Sequence, residues 1–166
     1  MKRCFWMLTV LAALGMLLGL SACSEGKGEG TAYQVYFLAE EVGDPHALMS
    51  ETRVVPAGTN PIDYLLDALL NGPTKENLQR IIPAKVSLRS WTFRNGVLQV
   101  DFSGRYGSLS GINLTLADYS VVHTLSQVEG VKAVQITADG ETIRYRDHQE
   151  LLTEDTWGVV FQDETE

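Results

Sequence analysis

Two stretches near the start of the chain show clear hydrophobic periodicity. Residues 33–38 (Tyr-Gln-Val-Tyr-Phe-Leu) are aromatic and β-branched, which predicts a first β-strand. Further on, large aliphatic residues recur at helical spacing at Ile62, Leu65, Leu66, Leu69 and Leu70. Asn60-Pro61 before this run is a typical helix start, and Asn71-Gly72-Pro73 after it is a typical stop. The pattern therefore predicts a strand followed by an amphipathic helix.

Two β-hairpins are predicted in the second half of the chain. Residues 86–93 and 97–102 flank Asn95-Gly96, a sequence that favours a tight two-residue turn. In the second arm one face is apolar and should be buried, namely Leu98, Val100 and Phe102. The opposite face carries Val97, Gln99 and Asp101. The second hairpin comprises residues 131–138, Asp139-Gly140 and residues 141–145.

A second amphipathic helix is predicted over residues 112–128, between the two hairpins. Its apolar positions are Leu114, Ala117, Val121, Leu125 and Val128. Its solvent-facing side is expected to hold Asp118, His123 and Gln127. We also expect a short extended piece at residues 53–55 and a helical turn over residues 74–80 with Thr74 as its cap.

The predicted order of elements is βαββαββ. Runs of strands separated by two helices indicate an α/β protein in the broad sense, with both helices and sheet, and more narrowly the α+β class. The two helices should pack on one face of a small mixed or antiparallel sheet.

The first 22 residues have the anatomy of a signal peptide. Lys2 and Arg3 precede an uncharged apolar run over residues 5–20. Leu20-Ser21-Ala22-Cys23 resembles the lipobox of bacterial lipoproteins, in which the cysteine becomes the first mature residue and receives a lipid on its sulfur. A plain signal peptide or an uncleaved membrane helix are the alternatives. The lipobox predicts a protein held at the cell membrane, on its extracytoplasmic side, by a lipid on Cys23.

These observations divide the chain of 166 residues into four parts. Residues 1–22 are the signal peptide, and residues 23–31 (the tether) are rich in glycine and charge and begin with the lipidated Cys23. Residues 32–146 form one folded domain, and residues 147–166 form an acidic tail.

Charge and cysteine content exclude several functions. The net charge is −8, and removing the two positive charges of Lys2 and Arg3 leaves −10, so nucleic acid is excluded as a partner. The two cysteines are Cys4, which leaves with the signal peptide, and Cys23. The mature domain is therefore expected to have no disulfide, no cysteine metal site and no cofactor.

Asp101 is the most suggestive carboxylate, because it lies near a strand end with Ser103 close by. It could act in a cell-wall-directed or small-ligand-binding enzyme together with loop hydroxyls. The other interpretation is that Asp101 and Ser103 cap backbone donors where the strand ends. The sequence favours capping.

No other catalytic or metal site is predicted. His46, His123 and His148 lack partners at metal-ligand or triad spacing, and residues 104–111 are expected to form a mobile loop. Trp91 is expected in the core. A contact surface could be formed by Trp157, Phe161 and Tyr106.

Several motifs in order resemble the GerMN domain of spore germination and sporulation proteins. They are residues 35–38 (Val-Tyr-Phe-Leu), residues 68–73 (Ala-Leu-Leu-Asn-Gly-Pro), Ile82-Pro83, residues 96–103, residues 122–131, and residues 134–136 before Asp139-Gly140. The resemblance extends over about residues 33–145.

The resemblance implies a small α/β module that is similar to ring-building motifs and frequent on membrane lipoproteins. The family has no associated enzyme activity, so the resemblance supplies no catalytic residues. It implies a non-enzymatic role in protein binding or assembly, linked to sporulation, germination or the cell envelope. The partner would be another envelope protein or a second copy of the chain.

Overall fold

The computed structural model describes residues 30–40, 48–144 and 149–152. Eight strands are present in this part: β1 (Thr31–Ala39), β2 (Leu48–Val55), β3 (Leu78–Gln79), β4 (Leu88–Arg94), β5 (Val97–Phe102), β6 (Ala133–Ala138), β7 (Glu141–Thr142) and β8 (Glu150–Leu151). The helices are α1 (Pro61–Asn71) and α2 (Gly111–Leu125), and a 3₁₀ turn covers Tyr106–Ser108. Two helices with mixed and antiparallel sheets confirm the predicted α+β fold.

The strands form two sheets where the sequence suggested one. The first sheet has the order β2-β1-β3 and is antiparallel. The second has the order β4-β5-β6-β7, with β8 also paired to β6. Strands β5 and β6 are parallel and are joined through α2. The crossover helix allows this parallel pairing, which a tight turn could not make.

The predicted helix and hairpin signals are confirmed in detail. The Asn60 side chain accepts a hydrogen bond from the Ile62 backbone N–H at 2.9 Å and so caps the start of α1. Asn95 and Gly96 have φ values of 54° and 85°, as a two-residue hairpin turn of the I′ type requires. The Asp139-Gly140 turn has the same conformation, although its return strand β7 is only two residues long.

Helix α2 lies in the interior, where we expected one of its sides to be solvated. It contacts β1, β6 and α1. Asp118 is 4% exposed and His123 is 2% exposed, so their predicted placement on a wet side is wrong. The helix is buried nearly all round because the first sheet covers the side that the sequence pattern left polar.

Polar side chains of α2, and of Gln127 just after it, bind the backbone of β1 along the part of its edge that no strand covers. Thr124 Oγ1 accepts from the Tyr36 N–H at 3.1 Å, and Ser120 Oγ donates to the Tyr36 carbonyl at 2.6 Å. One turn on, Gln127 accepts from the Gln34 N–H at 2.9 Å and donates to the Gln34 carbonyl at 2.7 Å. We call this set the α2–β1 seal. It satisfies backbone groups that burial would otherwise leave unpaired.

Strand β2 is longer than the extended piece predicted at residues 53–55, and it carries a buried carboxylate, Glu51, which is 2% exposed. Glu51 forms an ion pair with Arg53 and accepts hydrogen bonds from the Thr74 and Lys75 backbone N–H groups at 3.0 Å and from the Thr74 hydroxyl at 3.0 Å. The helical turn predicted over residues 74–80 is therefore wrong. These residues form a bend whose amides bind Glu51, followed by β3.

Hydrogen bonding determines the ionisation of Glu51. Burial by itself would raise the pKa of this carboxyl. The hydrogen bonds from Arg53, from the Lys75 and Thr74 backbone and from the Thr74 hydroxyl outweigh burial, so the pKa lies below its ordinary value. A folded-state pKa below the unfolded one means that the carboxylate stabilises the fold above the unfolded pKa. This contribution is lost as the pH falls through the folded pKa.

The seal predicts the outcome of Thr124→Val. The substitution keeps the side-chain volume but leaves the Tyr36 N–H without its acceptor, and we expect a loss of about 1–3 kcal/mol in the free energy of unfolding. Urea titration of both proteins measures the difference. Thr115→Val is the matched control, because the Thr115 hydroxyl bonds only within its own helix, to the Gly111 carbonyl. Equal losses for the two variants would contradict a structural role for the seal.

Glu51→Gln should destabilise the protein at neutral pH by about 2–4 kcal/mol, because the variant removes the buried charge that Arg53 and the bend amides bind. In urea titrations at pH 7 and pH 3, the difference from the native protein should shrink at the lower pH. Glu76→Gln, at an exposed position in the same bend, serves as the control. A difference that is the same at both pH values would refute the lowered pKa.

Candidate functional site

The second sheet has one face that the helices do not cover, and Asp101 lies on it. The opposite face of β5 packs into the core, since Leu98, Val100 and Phe102 are fully buried as predicted. We call this uncovered face the open face. It contains a shallow depression of about 390 Å³. Its polar lining residues are Ser90, Thr92, Gln99, Asp101, Gln135, Thr137 and Thr142.

Amides and hydroxyls on the open face form a row across three strands. The Gln99 amide donates to the Gln135 side-chain oxygen at 2.7 Å, and the Thr92 hydroxyl donates to the Gln99 oxygen at 3.2 Å. Each strand contributes one member, because the residues occupy matching register positions in β4, β5 and β6. The row has no formal charge.

Asp101 uses both of its carboxylate oxygens in contacts within the fold. Oδ1 accepts from the Thr137 hydroxyl and from the Gly140 backbone N–H, each at 2.8 Å. Oδ2 lies 3.1 Å from Arg89 Nε, and Arg89 Nη1 lies 2.6 Å from Asp139 Oδ1. Asp101 thus fastens the second hairpin turn to β5, which confirms a capping role. The donor it caps lies in the Asp139-Gly140 turn, however, and not in the loop after β5.

Ser103, the predicted companion of Asp101, serves a different backbone group. Its hydroxyl oxygen accepts from the Ser87 N–H at 3.0 Å. The loop hydroxyl of Ser108 donates to the Arg105 carbonyl at 2.7 Å. In the part of the chain that the structure describes, no hydrogen bond joins Asp101 to either hydroxyl. The arrangement lacks the nucleophile–base contact that covalent catalysis requires.

Tyr106 was expected at a contact surface, and this expectation is wrong. Its side chain is fully buried and stacks on Phe102, with ring centroids 4.8 Å apart. Its hydroxyl donates to Asp118 Oδ1 at 2.8 Å. The segment after β5 is therefore anchored to α2, and the mobile loop predicted over residues 104–111 is wrong as well.

Glycine is favoured in this anchored segment, most strictly at Gly107. A Cβ atom at Gly104 would lie 2.2 Å from a carboxylate oxygen of Asp139, and one at Gly107 would lie 2.9 Å from the Ala138 side chain. The two glycines let the segment pack against the end of β6. A second depression of about 310 Å³ borders it, between Gly104 and Arg144.

Two of the other candidate residues, Trp91 and His123, lie in the described part of the chain. Trp91 is half-buried against the core as expected, and its indole N–H donates to Asp63 on α1 at 2.6 Å. The His123 ring lies 5.1 Å from the Tyr36 ring, inside the fold. The remaining candidates fall outside the described residues, namely Cys23, His46, His148, Trp157 and Phe161.

In residues 30–40, 48–144 and 149–152, no three His, Cys, Asp or Glu side chains are grouped as metal ligands. None of the helices found there combines the length and the apolar character needed to cross a bilayer.

The sequence profile of the Germane family, described as "Sporulation and spore germination", matches residues 34–144. This is most of the chain. The chain belongs to the Germane family. The match gives the protein a general connection to sporulation and germination, and it confirms the resemblance drawn from the sequence motifs.

Solved structures of Germane-type domains share the fold. The first GerMN domain of the sporulation protein GerM from Bacillus subtilis has a TM-score of 0.61 at 16% identity, covering 75% of this chain and 99% of that one. The tandem GerMN domains of the same protein give 0.57 at 22% identity, covering 74% of this chain and 43% of that one. This chain therefore spans less than half of the tandem structure.

A third structure, a protein from Clostridium perfringens named provisionally as a lipoprotein, has a TM-score of 0.50 at 17% identity. It covers 76% of this chain and 90% of its own length. No curated protein sequence matches the chain. At these identities the solved structures establish the fold alone.

The capping role of Asp101 predicts that Asp101→Asn lowers the free energy of unfolding by about 1–2 kcal/mol, because Asn keeps a single acceptor oxygen and cannot both accept from the Gly140 N–H and pair with Arg89. Thermal and urea unfolding measure the loss. Asp67→Asn is the control, since exposed Asp67 bonds only to Asn71 on its own helix. An Asp101→Asn protein as stable as the control would argue against capping and revive an enzymatic role.

Proposed function

We propose that the protein is a lipid-anchored, extracytoplasmic module that binds another envelope protein or a second copy of itself without catalysing a reaction. Three observations support the proposal: the lipobox ending in Cys23, membership of the Germane family, and the chemistry of the open face. The observation that carries most weight is the state of Asp101, whose two oxygens both hold other parts of the fold.

The enzymatic alternative, in which Asp101 acts with loop hydroxyls, has little support. A nucleophile or a general base needs an oxygen directed at substrate, and a partner group within hydrogen-bond reach. Asp101 is paired with Arg89, and Ser103 accepts from a backbone amide. These contacts favour stability over turnover.

The open face is the surface that we assign to the protein partner. It spans four strands, from β4 to β7. Its exposed residues are mostly hydroxyls and amides, and it carries little net charge because Asp101 is paired with Arg89. A broad face rich in hydrogen-bonding groups resembles the polar part of ordinary protein interfaces. Such a surface can bind an acidic or a neutral partner without strong repulsion.

A lipid anchor would bring this domain of the Germane family to the cell envelope. The family description places the domain in sporulation and spore germination. A lipid on Cys23 would hold the domain at the outer side of the cytoplasmic membrane, where envelope assemblies are accessible. In the predicted acidic tail, Glu150 and Leu151 pair with β6 as β8, and the acidic residues after them do not figure in the proposed contact.

The proposal is tested by crosslinking the native protein in intact cells and identifying captured proteins by mass spectrometry. Thr92→Arg on the open face should remove the captured partner or the self-crosslinked species, because a long cationic side chain blocks close approach. Thr52→Arg is the matched control, since Thr52 is also an exposed strand threonine bonded to a glutamine, but on the first sheet. Unfolding curves must show that both variants fold.

Specific loss of the crosslinks in Thr92→Arg alone would support binding through the open face. Crosslinks that persist in both variants would overturn that assignment. An absence of any reproducible crosslink at native abundance would count against the binding role itself.

A further inference from the structure

The chain enters the folded domain at one end of the molecule. Gly30 precedes β1 and lies against the end of β2, because a Cβ on Gly30 would be 2.3 Å from the Val55 carbonyl oxygen. The C-terminal end of α2 is at the same place, where Gln127 binds the Gln34 backbone. We call this region the tether end.

The second sheet also ends here. A Cβ on Gly130, just after α2, would lie 3.5 Å from the Phe93 ring. The Lys132 N–H donates to the Gly96 carbonyl at 2.7 Å, which places the turn between β4 and β5 beside the start of β6. The two sheets therefore present their ends together, next to the residues that follow the tether.

The tether end exposes apolar side chains in a chain whose net charge is −8. Among the described residues three large hydrophobic side chains are exposed, and two of them lie here, with Val54 at 55% and Phe93 at 39%. The loop from Pro56 to Thr59 is exposed and carries no charge. Arg94 and Lys132 are exposed on either side of the turn.

Two exposed carboxylates lie at this end. Asp63 accepts the Trp91 indole N–H, and Glu129 lies beside Gly130. Their charges balance those of Arg94 and Lys132. The third exposed hydrophobic residue, Ile112, is in the first turn of α2 and thus at the opposite end of a 15-residue helix. Such a helix is roughly 22 Å long. Ile112 therefore provides a comparison site far from the tether.

The length of the tether limits the distance between this end and the membrane. Six residues separate Cys23 from Gly30, and even fully extended the stretch from Cys23 to Gly30 reaches only about 25 Å. An acyl chain on Cys23 would thus keep the tether end within about 25 Å of the bilayer surface. Aromatic and aliphatic side chains flanked by Arg and Lys are the composition that favours the membrane interface.

We propose that the tether end rests on the lipid surface, with Phe93 and Val54 at the interface and Arg94 and Lys132 directed at phosphate headgroups. This inference rests on the proposed lipid anchor at Cys23. It gives the domain one preferred orientation, with the far end of α2 pointing away from the membrane and the open face accessible from the side.

The test uses the native lipidated chain in phosphatidylethanolamine–phosphatidylglycerol vesicles. Spin labels are placed one at a time through Ala57→Cys in the uncharged loop and through Ile112→Cys at the far end. No other thiol competes for the label once Cys4 is removed with the signal peptide and Cys23 is lipidated. Collision rates with oxygen, which concentrates in lipid, and with a water-soluble nickel chelate report the surroundings of each label.

We expect the ratio of oxygen to nickel collisions at position 57 to rise severalfold on vesicles, while the ratio at position 112 keeps its aqueous value. Phe93→Ser should lower the ratio at position 57, and so should Arg94→Glu combined with Lys132→Glu. Lys85→Glu combined with Arg105→Glu is the charge-matched control, because both residues are exposed next to the opposite ends of β4 and β5. This control should leave the ratio unchanged.

Three results would overturn the inference, and they differ in what they say about the anchor. If the protein floats with vesicles but position 57 behaves like position 112, the anchor stands and the contact fails. If the mature chain shows no lipid mass and does not float, the anchor and the contact both fail. If position 57 is equally shielded without vesicles in a chain that begins at Ser24, and so carries neither Cys4 nor the lipid, the tether end contacts another copy of the chain.

Discussion

Side chains of α2 take the place of a neighbouring strand along one edge of β1. On its other edge β1 pairs with β2 over its length, whereas β3 covers only Leu38 and Ala39 on the sealed side. The backbone of Tyr36 would be buried and unpaired without Thr124 and Ser120. Because unpaired buried amides are costly, α2 has to lie between the two sheets, and this position makes a single core of the helices and both sheets.

The same principle explains the other polar groups of the interior. Glu51 binds the bend before β3, Asp118 binds the hydroxyl of Tyr106, and Asp101 binds the turn after β6. Each carboxylate holds a connecting segment against a regular element, and Asp101, the carboxylate that suggested chemistry in the sequence, is one of them. A fold with loops held in this way presents stable surfaces, which suits a module that binds or assembles.

The tether end and the open face of such a module would contact different partners. The tether end faces the lipid, and the open face is turned to the side, where an envelope protein or a second copy can approach. The difference in chemistry fits this division, since Phe93 and Lys132 suit an interface of lipid and water, while Gln99 and Gln135 suit a protein surface.

Local rules in the sequence determined the elements. The Asn60 cap, the Asn95-Gly96 turn and the alternation along β5 act over a few residues, so they could be predicted, together with the family and the burial of one face of β5. The position of Asp101 on the polar face followed from the same alternation. Tertiary structure decided which distant parts of the chain these elements contact. The burial of α2, the role of Glu51 and the arrival of Gln135 beside β5 depend on contacts between residues far apart in the chain, and no short-range pattern encodes such contacts.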